Sequence, residues 1–481
     1  MPTCDMLIRN VQIIDGSGGD PQSGSVAVAG DRIQAVGNLA DYSSTNTIDG
    51  EGKVVAPGFI DAHTHDDLYL IHHPEMLPKI SQGVTTVIVG NCGISAAPVR
   101  VTGDLPDPMN LLGTADAFRY PTFAAYVEAV DAAQPAVNVA ALVGHTALRN
   151  NHMDRLDRVA NSKEIEAMRV QLREALDYGA LGLSTGLAYL SANSASTEEV
   201  MALAEPLSQA GAVYATHLRS ESETALEAMD ETYRIGLDAK VPVVISHLKC
   251  AGIDNWGRSR ELLESIHTAS GHQEIGWDCY PYAAGSSTLD LRQVDERVVI
   301  MITWSNRHPE KAGQTLEQIA RDWAVPQIEA ARRLQPAGAI YHSISEDDMR
   351  AILRHPGTMI GSDGLPNDPL PHPRLWGTFP RVLGYYRREQ ELFSLSEAVR
   401  KMTGLPAQRF GLTGRGLVRE GYSADLVLLD PETVRDVATF TDPIRVAEGI
   451  EAVWVNGVLS YRNQALTGQR AGRFLPRAIH T

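Results

Sequence analysis

Cysteine is scarce in this sequence, since only Cys4, Cys92, Cys250 and Cys279 occur in 481 residues and none forms a Cys-x-x-Cys pair. So sparse a set argues against a secreted disulfide scaffold and is typical of a reducing compartment, so a cytoplasmic location is expected. No apolar run approaches the ~18 residues of a membrane helix. The first residues show no basic segment followed by an apolar one, so no secretion signal is expected.

Basic residues are also few: 42 Lys and Arg stand against 59 Asp and Glu, which gives a formal charge of -17. This balance argues against nucleic acid and anionic membranes as general partners. Apolar residues make up 43% of the chain, which suffices for a sizeable core without covalent cross-links. The length allows two to four domains, or one large barrel with an appendage.

The middle of the chain alternates between buried strands and amphipathic helices. Residues 83–93 and 137–145 are Val-rich segments that are predicted to form buried strands, and Asn161 with Glu164 forms a capping box before a helix. Seven or eight such units predict an α/β fold, a (β/α)8 barrel over 58–414. The stretch 283–345 breaks the alternation with helix-like pieces, and we interpret it as an insertion that forms a mobile lid.

Both ends of the chain are rich in short Val and Ile runs separated by Gly and Asp turns. Asn456-Gly457 is a hairpin signal, and a last short strand is expected around 472–475. Because chain termini often lie close together, 1–57 and 415–481 are predicted to form one small all-β domain.

Polar residues fall where predicted barrel strands end, which is where barrel active sites are built. Any one of them alone is more often structural than functional. Together, six potential ligands from five strand–helix units predict a metal site, and imidazole, thiolate and carboxylate all suit Zn²⁺. They are His63, His65, Cys92, His217, His247 and Asp363.

Several motifs resemble the N-acyl-D-amino acid deacylase (D-aminoacylase) family of the amidohydrolase superfamily. They are VVAPGFIDAHTH, GNCG, STGLAY, THLRSE, SHLK, YPY, GSDG, HPRLWGTFPRVLG and KMTGLPAQRFGL. The resemblance spans nearly the whole chain and implies a metal barrel with a small β domain. It also implies hydrolysis of N-acyl-D-amino acids to a carboxylate and a free D-amino acid.

The resemblance further implies one tight zinc on Cys92, His217 and His247. His63, His65 and Asp363 would hold a second, weaker metal. The segment GALGLSTG lacks the carboxylated lysine of many superfamily members, in agreement with the narrower family.

The chemistry needs a proton carrier and substrate contacts as well as a metal. We expect Asp363 to take the proton of the water and pass it to the leaving nitrogen. Tyr189 resembles the family residue that donates to the carbonyl oxygen. The resemblance assigns the α-carboxylate to Lys249, Tyr282 and Arg374.

Arg292 is then a surplus cation near the mouth. If it faces the pocket, with Ser286 or Ser287 adding a hydrogen bond, it would select an acidic side chain, as in N-acyl-D-glutamate. Asp290, two residues away, offers a competing surface ion pair.

Two other functions stay open at this stage. A cyclic amidase of the hydantoinase or dihydroorotase type would use the same barrel but favours a lysine on the fourth strand. A non-catalytic barrel homologue would have a broken ligand set. The run Gly16–Gly19 lacks the spacing and following helix of a nucleotide-binding loop, so it is interpreted as a turn.

Overall fold

A computed structural model describes residues 2–101 and 103–478. The two ends of the chain share a nine-stranded sheet, in which Val54–Pro57 pairs antiparallel with Leu426–Leu429. Its strands are Met6–Ile13, Gln22–Ala29, Arg32–Gly37, Thr47–Asp49, Val54–Pro57, Leu426–Leu429, Ile450–Val455, Val458–Arg462 and Ala465–Leu466. Thr3–Cys4 and Ser43–Ser44 form a further two-stranded pair.

The hairpin between Ile450–Val455 and Val458–Arg462 turns at Asn456 and Gly457, whose φ values are 48° and 80°. Both residues are left-handed, as a two-residue hairpin turn requires. The strand expected around 472–475 is absent. Instead Phe474 bridges Val139 in the barrel, because the main-chain groups beside it bond to that residue.

Eight barrel strands follow in chain order, and every neighbouring pair within the two barrel sheets is parallel. The backbone N–H of Ala62 closes the ring by donating to Ile360 at 3.2 Å. The strands are Phe59–Asp61, Val84–Val89, Asn138–Ala141 continued by Val143–Gly144, Gly182–Gly186, Val213–His217, Val243–Ile245, Ile275–Cys279 and Thr358–Ile360. Their inward apolar side chains fill the barrel interior, and Leu475 closes it from the C-terminal segment.

Helices cover the outside of the barrel. The capping box of Asn161 and Glu164 is present, and Gly211 ends its helix in the left-handed conformation. The α-helices outside the insertion are Tyr69–His72, Leu77–Ile80, Phe123–Ala133, His145–His152, Ser162–Asp177, Thr197–Ala210, Ala225–Ala239, Ser259–Ala269, Glu346–Arg354, Arg374–Arg381, Leu395–Met402 and Gly404–Arg409; a π-helix spans Val382–Glu389. Across the described ranges, no helix combines the length and apolarity needed to cross a membrane.

The insertion is more ordered than its sequence indicates. Strands Gly285–Thr288, Ile300–Ser305 and Ala337–Tyr341 form an antiparallel sheet, and helices Leu316–Asp322 and Gln327–Leu334 pack on it. These elements enclose a core of their own. The insertion is therefore a small folded unit set over one side of the barrel mouth.

Candidate active site

A cavity of about 380 Å³ opens between the carboxyl ends of the barrel strands and the insertion. Four of the six predicted ligands line it, namely His65, His217, His247 and Asp363. His63 and Cys92 are buried close to them. The structure thus brings all six residues to one end of the barrel.

The backbone at this site is unusual. Cys92, His247 and Asp363 have φ values of 53°, 35° and 48°, a region that non-glycine residues seldom adopt. All three lie just past their strands, where the chain turns inward. Such left-handed residues persist only when their surroundings hold them, and they cluster at functional sites.

Four ligand atoms form a compact group. The Cys92 Sγ lies 3.2 Å from Nε2 of His63 and 3.2 Å from Nε2 of His247. Oδ1 of Asp363 lies 3.6 Å from Nε2 of His63 and 3.1 Å from Nε2 of His65. These imidazole, thiolate and carboxylate groups are the ones that zinc prefers.

Other features also fit a metal. Nδ1 of His65 and Nδ1 of His217 are buried with no hydrogen-bond partner among the described residues. Burial opposes ionisation of Cys92, but the adjacent His63 and His247 hold the pKa of the thiol well below its ordinary value. A thiolate beside unpartnered imidazoles is suited to a zinc ion.

The grouping differs in one respect from the sequence expectation. His63 joins Cys92, His247 and Asp363 in the compact group, whereas His217 groups with His247 and Glu221. The ring of His217 contacts that of His247, with centroids 4.5 Å apart. His247 is therefore shared by two adjacent groups of potential ligands.

Glu221 is a site residue that sequence reasoning missed. Its Oε1 lies 2.9 Å from Nδ1 of His247 and accepts from the Lys249 ammonium at 2.5 Å. A carboxylate on the far nitrogen of a ligating imidazole fixes the orientation of that ring. The available signal was its place at the end of the THLRSE motif, which begins in the strand Val213–His217.

Asp363 is held by charge on several sides. Its Oδ2 lies 2.9 Å from Nη2 of Arg374, whose side chain is almost completely buried. Burial alone would raise the pKa of this carboxyl, but Arg374 and His247 hold it well below the ordinary value. Asp363 is consequently ionised at neutral pH.

The remaining predicted residues divide between the cavity wall and positions behind it. Tyr189, Lys249 and Ser286 line the cavity. Arg374 lies behind the wall and reaches Asp363, with its Nε and Nη1 unpartnered among the described residues.

The resemblance implies a contact between Tyr282 and the α-carboxylate, but the barrel strand ends at Cys279, before Tyr282. Tyr280 lines the cavity instead, with the Arg374 guanidinium 4.5 Å from the centre of its ring. Tyr282 is absent from the cavity wall and packs against His372 and Arg381.

Arg292 lines the cavity but is not a lone cation. Its Nε and Nη2 donate to the Asp290 carboxylate at 2.7 to 3.1 Å, and its side chain is 51% exposed. Nη2 also donates to the carbonyl of Ala188. Arg292 and Asp290 thus form the surface ion pair that was the competing interpretation of the sequence.

Comparisons with known proteins agree with this geometry. The amidohydrolase family model matches residues 46–461. A D-aminoacylase from Alcaligenes xylosoxydans xylosoxydans is 50% identical over 98% of both chains. An N-acyl-D-aspartate deacylase from the same organism is 48% identical over 99% of this chain and 94% of its own length.

A solved structure is also similar. The N-acyl-D-glutamate deacylase of Bordetella bronchiseptica, complexed with zinc and a phosphonate mimic of the tetrahedral intermediate, is 42% identical. The two superpose with a TM-score of 0.94, covering 98% of this chain and 100% of the other. With its barrel, its cysteine-containing ligand group and these relatives, the chain belongs to the amidohydrolase family, among the D-aminoacylases and N-acyl-D-amino acid deacylases.

Proposed function

We propose that this protein is a zinc-dependent deacylase that hydrolyses N-acyl-D-amino acids to a carboxylate and a free D-amino acid. One observation carries the proposal: the buried Cys92, His63, His247 and Asp363 group opens on a cavity walled by cations and phenols. Such a cavity suits a small amide that carries a carboxylate. The D configuration is inferred from the relatives.

Cys92, His247 and the imidazoles around them would hold the zinc. A zinc ion in such a site would lower the pKa of a bound water to about 7 and would polarise the amide carbonyl. Asp363 is ionised and buried beside these ligands, so its carboxylate takes the proton of the attacking water. The same carboxyl then gives that proton to the leaving nitrogen.

Tyr189 stands beside His217, with ring centroids 4.8 Å apart, and lines the cavity. Burial, together with the nearby Cys92 and Asp363 charges, raises the pKa of its phenol well above the ordinary value. The hydroxyl therefore stays protonated and donates to the carbonyl oxygen as negative charge develops there.

The α-carboxylate would meet donors at the base of the cavity. Burial lowers the pKa of the Lys249 ammonium, but Glu221 more than offsets it, so Lys249 is charged. The Tyr280 hydroxyl, the Ser286 hydroxyl and two nitrogens of Arg374 have no partner among the described residues. These groups form a set of donors for one carboxylate.

The test is a screen of the zinc-reconstituted protein with N-acetyl, N-formyl and N-succinyl amino acids of both configurations. We expect release of free D-amino acids with little turnover of the L-forms. Hydrolysis of hydantoin or dihydroorotate in place of linear amides would favour a cyclic amidase, although the fourth barrel strand, Gly182–Gly186, has no lysine. Absence of any hydrolysis would favour a non-catalytic homologue.

A preference for acidic side chains, as in N-acyl-D-glutamate, is a second proposal at the same cavity. Arg292 lies on the wall and can pair with a substrate carboxylate, but Asp290 already engages two of its nitrogens. An acidic substrate would share the guanidinium with Asp290, so we propose a modest preference.

Two variants test this preference. Arg292→Leu should lower kcat/KM for N-acetyl-D-glutamate by a larger factor than for N-acetyl-D-leucine. Asp290→Asn removes the competing charge and should raise kcat/KM for the glutamate substrate. Equal losses of kcat/KM for both substrates in Arg292→Leu would show that Arg292 does not determine substrate specificity. A wild-type preference for N-acetyl-D-leucine would show the same.

A further inference from the structure

Lys79 is a charged side chain sealed inside the protein, with no exposed surface. Its ammonium donates to Asp61 Oδ2, Thr64 Oγ1 and Ser362 Oγ, each at 2.8 Å. The carboxylate of Asp66 lies 3.3 Å away. An ammonium has three protons, and all three are directed at oxygens from two other segments of the chain.

These oxygens belong to the two turns that carry His63, His65 and Asp363. Asp61 ends the first barrel strand and residues 62–66 follow it, and residues 361–364 follow the eighth strand. Asp61 also joins the turns directly, because its Oδ1 accepts from the backbone N–H of Ser362 at 2.8 Å. Its Oδ2 accepts from the Ser362 hydroxyl at 2.6 Å.

Two main-chain hydrogen bonds join the same two turns on the cavity side. The N–H of Asp363 donates to the carbonyl of His63 at 2.7 Å, and the N–H of His65 donates to Gly364 at 3.1 Å. Regular pairing ends below this level, since the strands stop at Asp61 and Ile360. The hydrogen bonds around Lys79 therefore connect the first and eighth strands beyond the end of their regular pairing, as far as the potential ligands His63, His65 and Asp363.

Stability alone does not explain a buried charge here. Removing an ion from water is costly, and well-packed apolar residues are often at least as stable as a buried ion pair. A tetrahedral ammonium offers something that apolar residues lack, namely fixed directions to three oxygens at once.

We infer that Lys79, acting with Asp61 and Ser362, is a positioning residue that sets the placement of Asp363 relative to His63 and His65. The inference rests on the proposed function for its effect on turnover. Its effect on metal binding at these residues is independent of the substrate.

The test compares Lys79→Met and Ser362→Ala with Lys401→Met in the zinc-loaded full-length protein. Lys401 is the matched control, because it is equally buried but donates to the backbone carbonyls of His355 and Thr358, away from the ligands. Turnover of an N-acyl-D-amino acid and equilibrium dialysis against zinc are measured for each. Dialysis separates the first zinc from a second, weaker one.

We expect Ser362→Ala and Lys79→Met to lower kcat by about 10- to 100-fold, since small misplacements of catalytic groups have effects of this size. KM should change less than about twofold. The first zinc should remain, because Cys92 lies outside the network, while affinity for the second should fall by about tenfold or more. Lys401→Met should resemble wild type in both measurements.

Unchanged kcat and zinc binding in Ser362→Ala would overturn the inference, as would equal losses in Lys401→Met. If Lys79→Met fails to fold, Ser362→Ala and Thr64→Val decide, since each removes one hydroxyl without stranding a charge. If the wild type hydrolyses no N-acyl-D-amino acid, the proposed function fails, and the second zinc affinity alone decides the role of Lys79.

Discussion

Among single residues, Cys92 has the most distinctive chemistry. The other buried thiols lie away from the compact ligand group, and burial raises the pKa of Cys250 to about 12. By contrast, His63 and His247 lower the pKa of the Cys92 thiol. The difference between a thiolate and a thiol is thus decided by neighbours, not by burial.

Cys92→Ala should therefore lose zinc and activity together, since the thiolate is the strongest of the proposed ligands. Elemental analysis after dialysis measures the metal, and Cys250→Ala is the matched control. Full zinc in Cys92→Ala would remove Cys92 from the ligand set.

Asp363→Asn should keep the fold and the first zinc but lose about 10²-fold or more of kcat, because an amide still accepts hydrogen bonds yet cannot carry the proton. Steady-state kinetics with zinc analysis checks both points. Wild-type kcat in this variant would exclude Asp363 as the acid and base.

At the scale of elements, the segment that carries Tyr189 is anchored by a buried cluster. Oε1 of Glu199 lies 3.0 Å from Nε2 of His145 and also pairs with Nη1 of Arg149. Arg149 in turn donates through Nε to the carbonyl of Ser191. The helix Thr197–Ala210 thereby holds the preceding turns in place. Burial by itself raises the pKa of the Glu199 carboxyl. The adjacent His145 and Arg149 outweigh this effect and lower the pKa to about 2.

The sign of this shift predicts acid sensitivity. Because the folded pKa lies below the ordinary 4.5, the stabilisation is present above about pH 4.5 and is lost as pH falls towards 2. Glu199→Gln should lower the free energy of unfolding by about 3–5 kcal/mol at pH 7 and flatten this acid dependence. Urea unfolding at several pH values measures both.

Glu205 on the same helix is the matched control for Glu199. It pairs with Arg169 at the surface and is 54% exposed, so Glu205→Gln should change stability by only about 0–1 kcal/mol. Similar losses in the two variants would contradict the buried-cluster argument.

The insertion 283–345 should move as a unit when substrate binds. It has a core of its own, and Ser286, Asp290 and Arg292 from it line the cavity. Closure over a substrate excludes water from the reaction. Limited proteolysis should show slower cleavage within 283–345 when a phosphonate substrate mimic is bound, and equal rates would contradict closure.

At the scale of the whole molecule, a buried polar cluster joins the terminal sheet to the barrel. Asp425 pairs with Arg415, accepts from the backbone of Asn456 at 2.8 Å, and contacts Asn138 of the third barrel strand. These contacts couple the two parts mechanically. The sheet and the barrel should therefore unfold together.

Asp425→Ala leaves Arg415 buried without its partner and should cost about 3–5 kcal/mol of stability. Calorimetry should show one transition in both wild type and variant, shifted to lower temperature in the variant. Two separated transitions in the wild type would mean that the sheet and the barrel unfold independently.

Much of the fold was predictable because its signals are local. The Asn161 capping box appears where the sequence places it. The insertion sheet was missed, because its short strands pair across 283–345 without a clear alternation. The segment at 472–475 was misassigned for a related reason: its partner is a barrel strand more than 300 residues away.

The sequence by itself determined the elements of the barrel and the choice of six potential ligands, because periodicity, caps and strand ends are properties of neighbouring residues. Only the tertiary structure decided that Tyr280 and not Tyr282 lines the cavity, that Asp290 pairs with Arg292, and that the Glu221 carboxylate lies beside His247. It also decided the Lys79 network, whose bond to Ser362 spans 283 residues of chain. Side-chain bonds of this kind depend on distances between remote segments, and those distances exist only once the barrel has closed.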